Sequence, residues 1–333
     1  MGYIKLDKKA FFHNLDYFGK ICTKDKLSIA LKDNAYGHGT LQAASMCEEY
    51  GIRHVFVRDM NEARIIKEFN FETILVLYDI PKEYDDKVIV SINNLDHIDL
   101  VPKGSKCELK IDTGMNRNGV TPKDIEKALG KIKQNNLILN GVFTHFCCAD
   151  EDNKITKIQE NIFLEAVDKV KKYITYSFRI HCANSAGVHK VNMDRYDLAR
   201  IGIGAYGYLD IEEDKYLKPV MSLHAKKIAT KFIKQGEHVG YGSKAFIAQK
   251  DMNVSNYDIG YGDGFYRFSE QKKGFVSSGL PILGRVSMDS FSVESTDDSI
   301  CVFRDVKELA KVQETITYTI LTNMKNTIKR EIE

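Results

Sequence analysis

Five short apolar runs in this chain each end in a side chain able to do chemistry. Leu27–Leu31 gives way to Lys32 and then Asp33-Asn34-Ala35-Tyr36-Gly37-His38-Gly39. A second run ends in Asp112 and reaches Arg117 through Thr113-Gly114-Met115-Asn116. A third ends at His145, a fourth leads into Ala183-Asn184-Ser185-Ala186-Gly187, and a fifth ends at Arg200. One lysine after an apolar run ordinarily snorkels to solvent; five polar termini in the same relation to five runs call for a shared site. Enclosed there, Lys32 would lose solvation of its ammonium form and become an amine nucleophile, able to form a Schiff base with an aldehyde or ketone.

Gly202-Ile203-Gly204-Ala205-Tyr206-Gly207 matches G-x-G-x-x-G. Residues 208–216 after it show no helical period, so the dinucleotide reading lacks its context. A backbone cradle for a phosphate fits better. An aldehyde that carries a phosphate is pyridoxal 5′-phosphate. His145, Cys147, Cys148, His181 and Cys182 lack zinc-ligand spacing, and adjacent Cys147 and Cys148 would point apart on a strand. They read as small thiols near a wall, with no metal site, and His145, beside Asp150, reads as a supporting residue.

The elements that must position these groups alternate in type. Eight apolar runs, Leu27–Leu31, His54–Val57, Thr73–Tyr78, Lys87–Ile92, Cys107–Asp112, Leu139–Phe146, Phe178–Cys182 and Tyr196–Arg200, are separated by charged stretches. Helical crossovers are predicted at Thr40–Tyr50, Met60–Phe69, Lys123–Gln134 and Thr156–Tyr173. Eight parallel strands suggest a closed (β/α)₈ TIM-type barrel, whose chemistry lies at the C-terminal strand ends, where the polar groups fall. Asp79–Asp86 is too short for a crossover helix, which leaves a doubly wound sheet as the alternative. Beyond residue 218 alternating stretches, Ser222–Phe232, Phe246–Asp258 and Ile282–Ser295, predict a β-rich second domain. The expected division is residues 10–218 for the barrel and 1–9 plus 219–333 for the β-rich domain.

The 333 residues suit two domains, and 43% hydrophobic with 28% charged residues is ordinary globular composition. Lys+Arg 48 against Asp+Glu 46 leaves +2, no field to hold nucleic acid. Seven cysteines without Cys-x-x-Cys fit a reducing cytosol rather than a disulfide framework. The first residues lack a signal peptide's apolar core, Leu6 stands where a myristoylation signal carries Ser or Thr, and the apolar runs are strand-sized. The expectation is a cytoplasmic protein that touches no membrane.

Over almost its whole length the chain resembles the alanine racemases, fold-type III pyridoxal-phosphate enzymes built from a barrel plus a β domain. The resemblance rests on Ala30-Leu31-Lys32-Asp33-Asn34-Ala35-Tyr36-Gly37-His38-Gly39, Leu109–Arg117, Thr144-His145-Phe146, Ala183-Asn184-Ser185-Ala186 and Ala199-Arg200-Ile201-Gly202. Ile259-Gly260-Tyr261-Gly262-Asp263-Gly264-Phe265 and Gly284-Arg285-Val286-Ser287-Met288-Asp289 extend it through the second domain. It implies an isomerase that interconverts L- and D-alanine with two bases and supplies D-alanine for peptidoglycan, working as a homodimer with shared sites on a small amino-acid substrate.

Residue by residue, the resemblance implies that Lys32 holds the cofactor and serves as one base, and that Tyr261, from the partner subunit, is the other. Arg200 would face the pyridine nitrogen, with His145 linking it toward Tyr261. Arg117 would lie near the cofactor's phenolic oxygen and the substrate carboxylate. Tyr36, Ser185, Gly202 and Ile203 match phosphate-site positions and Asn184 lies beside them; Met288 and Asp289 match the substrate wall. Lys110 matches a position carbamylated in some members. An arginine at a pyridine nitrogen disfavours its protonation and restrains transamination, which favours a racemase over a decarboxylase of the same architecture. A serine or broad-specificity racemase is the alternative, because one methylene in a pocket is worth only about 1–3 kcal/mol. The chain departs from the family at Asp33 (usually Ala), Ser287 (commonly Cys) and Asn326, where some members place a gate tyrosine, and it lacks the usual Arg-Val-Pro-Arg ending.

Overall fold

The computed structural model describes residues 1–241, 246–268 and 274–333. After β1 (Tyr3–Leu6) come eight parallel strands, β2 (Leu27–Ala30), β3 (His54–Val57), β4 (Thr73–Val76), β5 (Val88–Ile92), β6 (Lys106–Lys110), β7 (Ile138–Phe143), β8 (Arg179–His181) and β9 (Ala199–Ile201). They form one sheet in the order β8-β7-β6-β5-β4-β3-β2-β9. β2 and β5 are buried along their whole length, which suits near-continuous Val, Ile and Leu. The register continues Ile29 to Val55 to Ile74. β9 returns to β2 with Ser28 opposite Arg200. Between β8 and β9, Asp197 N–H donates to the Ile180 carbonyl (2.8 Å) and Arg200 N–H to that of Ala183 (3.0 Å). The eight strands therefore make a nearly closed barrel, and the doubly wound alternative falls.

Boundaries moved where side chains outranked local pattern. β9 starts at Ala199, not Tyr196, because the Tyr196 hydroxyl donates to Glu160 (2.8 Å) and its ring stacks on Phe163. The helix Asn153–Tyr173 begins before Thr156, since Asp152 accepts from the backbone of Lys154 and Ile155 and caps it there. Met60–Ile66, capped in the same way by Asp59, ends before Phe69. No helix forms over Asp79–Asp86. The G-x-G-x-x-G segment carries only a 3₁₀ turn, Ile203–Tyr206.

The chain divides into two compact units, one of residues 9–35 and 43–218 and the other of 1–8, 36–42 and 219–333. The second contains β10 (Met221–Ile233), β11 (His238–Val239), β12 (Phe246–Ile247), β13 (Met252–Tyr257), β14 (Phe291–Glu294), β15 (Ser299–Phe303) and β16 (Lys329–Ile332). Its main sheet runs β14-β13-β10-β1-β16, with β15 also on β10. Of the alternating stretch Ile282–Ser295 only β14 is a strand, and Phe246–Asp258 holds two, β12 and β13. β1, β15 and β16 were not legible as strands, because their pairing partners lie far away in the chain.

Candidate active site

Lys32 lies two residues beyond β2 and opens an unusual turn. Asp33, Asn34, Ala35 and Tyr36 take φ of 53°, 55°, 52° and 52° in succession. Asp and Asn tolerate the left-handed region, whereas Ala and Tyr pay about 1 kcal/mol or more each, strain that persists only where surroundings impose it. Here Ala35 N–H donates to the Leu31 carbonyl (3.0 Å) and Asn34 N–H to Glu62 Oε1 (3.0 Å). Lys32 Nζ lies 3.3 Å from Asp33 Oδ2, and Arg58 Nη1 lies 3.1 Å from Asp33 Oδ1.

Four cationic side chains on four different segments gather around one imidazole. His145 is pushed down to about 3 by enclosure and by the charges of Arg200, Lys110, Arg117 and Lys32. Lys110, on β6 and 6% exposed, donates to Asn118 Oδ1. Burial, Arg117 and Arg200 lower its ammonium to about 8. Arg117 is carried by a loop that Asp112 folds, its Oδ1 accepting from Gly114 and Asn116 N–H (3.0 and 3.1 Å). Asp112 is thus a turn-former rather than a reacting group.

Arg200 is fully engaged, but not as expected. Its Nη1 donates to His181 Nδ1 (2.7 Å), and its Nη2 to the carbonyls of Thr144 (2.6 Å) and Cys182 (3.2 Å). None of its bonds goes to His145, so the expected link through His145 gives way to His181, which stacks face to face on Phe143. An arginine only donates, so His181 Nδ1 must carry a lone pair and Nε2 the proton. That Nε2–H faces Glu108 Oε2 at 2.7 Å, and Arg179 lies 3.1 Å from Oε1. Burial opposes ionisation of Glu108, but the bond from His181 and the Arg179 charge outweigh it and hold the carboxyl at about 2. Sequence reading missed Glu108 because inside a buried strand it looks like an error of patterning; a charge at such a position is itself the signal.

Ser185 Oγ accepts from Gly202 N–H (3.0 Å) and Gly204 N–H (3.3 Å), tying together the two segments expected to take a phosphate. A Cβ on Gly204 would meet the Phe18 ring at 2.5 Å, so glycine is required there. Asn184 spends its Oδ1 on Gly187 N–H (2.8 Å). Ile203 starts the 3₁₀ turn. Cys147 and Cys148 lie beyond the end of β7, where strand alternation no longer applies, and their sulfurs sit 3.4 Å apart rather than diverging.

In the β-rich unit, Tyr261 N–H donates to the Ser287 carbonyl (3.1 Å) and Gly262 N–H to that of Met288 (2.7 Å), which places Tyr261 beside Met288 and Asp289. A Cβ on Gly260 would fall 2.1 Å from the Met288 carbonyl oxygen, so only glycine permits the approach. Tyr36 belongs to this unit and packs against Tyr318 (5.9 Å between centroids), an aromatic neighbour that the focus on Asn326 passed over. Arg330 anchors the segment, donating to Gly37 O (2.9 Å), Ile328 O (2.7 Å) and Met324 O (3.3 Å). Arg330→Ala would leave these carbonyls without their donor and is expected to cost about 2–4 kcal/mol, with Arg330→Lys unable to restore the fork. A change in urea midpoint equivalent to under about 0.5 kcal/mol would show the anchor to be idle.

Residues 6–210 match the family described as "Alanine racemase, N-terminal domain" and residues 220–332 match "Alanine racemase, C-terminal domain". The chain belongs to the alanine racemase family. Curated relatives named "Alanine racemase" include those of Campylobacter curvus, 38% identical over 99% of both chains, and a Nitratiruptor species, 41% identical over 97% of both. The solved alanine racemase of Acinetobacter baumannii has a TM-score of 0.81 at 27% identity, covering 100% of this chain and 99% of that one. For that of Clostridium difficile the TM-score is 0.90 at 24% identity, covering 100% and 95%, a likeness of fold. No helix among the described residues is long and apolar enough to cross a membrane.

This racemase should be sensitive to mild acid. Five histidines have lowered pKa values: His54, to about 4 by burial and Arg179; His145, to about 3; and His181, His189 and His224, chiefly by burial. Unfolded, each titrates near 6.5. Below that pH the unfolded chain binds protons that the folded chain refuses, so stability is lost as pH falls, by up to about 1.4 kcal/mol per pH unit per histidine. Glu108 adds a loss only below about pH 4.3, as pH falls toward its folded value. Urea midpoints should therefore drop steeply between pH 6.5 and 5, and His54→Gln should flatten the slope by about one proton. A flat profile over that interval would contradict the assignment.

Proposed function

We propose that this chain is a pyridoxal-phosphate-dependent alanine racemase, an isomerase that interconverts L- and D-alanine and so feeds D-alanine to peptidoglycan synthesis. The observation that carries the reading is the convergence of Lys32, Lys110, Arg117 and Arg200 on His145 at barrel strand ends. Such a concentration of cations suits a phosphorylated, anionic cofactor and a substrate carboxylate. The donor set fits pyridoxal phosphate: Lys32 would hold its carbonyl carbon covalently, Tyr36, Asn184, Ser185, Gly202 and Ile203 would take the phosphate, and Arg200 and Arg117 would address the ring. When bound, that group supplies the electron sink which makes a substrate α-proton removable.

The residues of the chain do the rest. Lys32 Nζ takes or returns the proton on one face, and the Tyr261 hydroxyl of a partner chain does so on the other. Arg117 orients the carboxylate, and carbamylation of Lys110, favoured by its lowered ammonium, would set an anion beside Arg117. Met288 and Asp289, held against the Tyr261 loop, bound the substrate side. Arg200, fixed by His181 and two carbonyls, presents a cation where a decarboxylase of this architecture would need a carboxylate; the buried Glu108 is spent on His181 and Arg179. Serine or broad-specificity racemisation is the less favoured reading.

Purified protein with pyridoxal phosphate should convert L-alanine to D-alanine by chiral chromatography. Tyr261→Phe should lose α-deuterium exchange much more from one enantiomer than from the other, by about 10²-fold or more. Equal losses from both would remove Tyr261 from the two-base scheme.

A further inference from the structure

Adjacent Cys147 and Cys148 follow His145 by two and three residues, on the loop between β7 and the helix that starts at Asn153. Cys147 is exposed and Cys148 half-buried. Cys22, Cys47, Cys107 and Cys182 are buried, and Cys301 is half-buried with its Sγ on the Phe303 carbonyl. The loop is held in shape: Cys147 N–H donates to Gln159 Oε1 (3.0 Å), and Glu151 and Asp152 N–H both donate to the Cys148 carbonyl (3.1 and 2.9 Å). Two sulfurs on a braced loop therefore stand 3.4 Å apart with one side open.

A direct disulfide suits this pair poorly. Neighbouring Cα atoms are about 3.8 Å apart, below the roughly 4.4–6.8 Å that unstrained disulfides span. Peroxide oxidation also needs a thiolate, and burial together with Cys147 pushes the Cys148 thiol up to about 11. Among the described residues no third histidine, cysteine or carboxylate completes a metal set. A centre that takes two sulfurs and keeps them apart meets neither obstacle, and soft thiol ligands prefer soft centres.

The geometry points to Cys147 and Cys148 as a two-thiol binding site for monosubstituted trivalent arsenicals, occupation of which shuts down the racemase. For a species R–As(OH)₂, two As–O bonds break and two As–S bonds form. Each thiol proton leaves with a hydroxyl as water, and arsenic stays trivalent, so no oxidant or reductant enters. The bound group would sit on the loop that carries His145, two and three residues beyond it.

The test uses holoenzyme and phenylarsine oxide. Wild type should retain one phenylarsine per chain by intact mass in excess 2-mercaptoethanol, lose racemase activity in step, and regain it with 2,3-dimercaptopropanol. Cys147→Ser and Cys148→Ser, each keeping basal activity, should bind at least about 100-fold more weakly and resist inhibition, because the second sulfur acts at high effective concentration. Retained tight binding in either variant, release by the monothiol, or occupation without inhibition would overturn the proposal.

Discussion

Lys32→Ala is expected to give a folded protein that no longer interconverts the alanine enantiomers in either direction, with a loss of more than about 10⁴-fold. Loss of a positioned base alone costs about 10²–10⁴-fold, and this residue would also be the point of cofactor attachment. The fold should tolerate the change. The left-handed turn after Lys32 is braced by the Leu31 carbonyl, which accepts from Ala35 N–H, and by Glu62, which accepts from Asn34 N–H. The Lys32–Asp33 pair is about 29% exposed, and such pairs contribute on the order of 1 kcal/mol or less. Lys110 is the rival amine, since its lowered ammonium leaves more free base at neutral pH. It is, however, 6% exposed and engaged with Asn118, whereas Lys32 stands at the start of the turn. Borohydride treatment of the loaded protein should fix pyridoxal phosphate to the peptide carrying Lys32, and to none in Lys32→Ala. Attachment at Lys110 would reverse the assignment of the two lysines.

The placement of the candidate residues was legible in the sequence: Lys32, Arg117, His145, Ser185 and Arg200 follow apolar runs, and the structure sets them in or beyond the ends of β2, β6, β7, β8 and β9. The barrel was legible because parallel strands buried on both faces read as unbroken apolar runs. What escaped depends on partners remote in the chain. His181 looked like half of a failed metal pattern, yet its ring takes a bond from Arg200 on one side and faces Glu108 on the other. Cys147 and Cys148 were assigned diverging directions because the run was extended to Phe146, three residues past the true end of β7 at Phe143. Tyr318 is separated from Tyr36 by most of the sequence, so no spacing rule could pair them. Capping by Asp152 and the hydroxyl of Tyr196 moved boundaries for the same reason: a single hydrogen bond outranked the period of the run.

Mixing two inactive variants is expected to restore about one quarter of wild-type sites, if each active site draws on two chains. Tyr261 is 38% exposed and its neighbour Met288 56% exposed, large apolar groups left open at a loop that glycine fixes in place. Side chains left open there are accessible to a partner chain. In a two-fold dimer, the commonest closed symmetry, the Tyr261 cluster of each chain would serve the Lys32 end of the other. Lys32→Ala and Tyr261→Ala are prepared separately, shown to be folded and nearly inactive, then dissociated, mixed in equal amounts and reassociated. Random exchange makes about half the dimers mixed, and in each of these one site collects both defects while the other collects none. If Lys32 and Tyr261 instead served one site within one chain, every site would keep a defect and mixing would restore nothing. Chain exchange, followed with two affinity tags, separates that outcome from failed reassociation: exchanged chains without recovered activity would rule out the shared site.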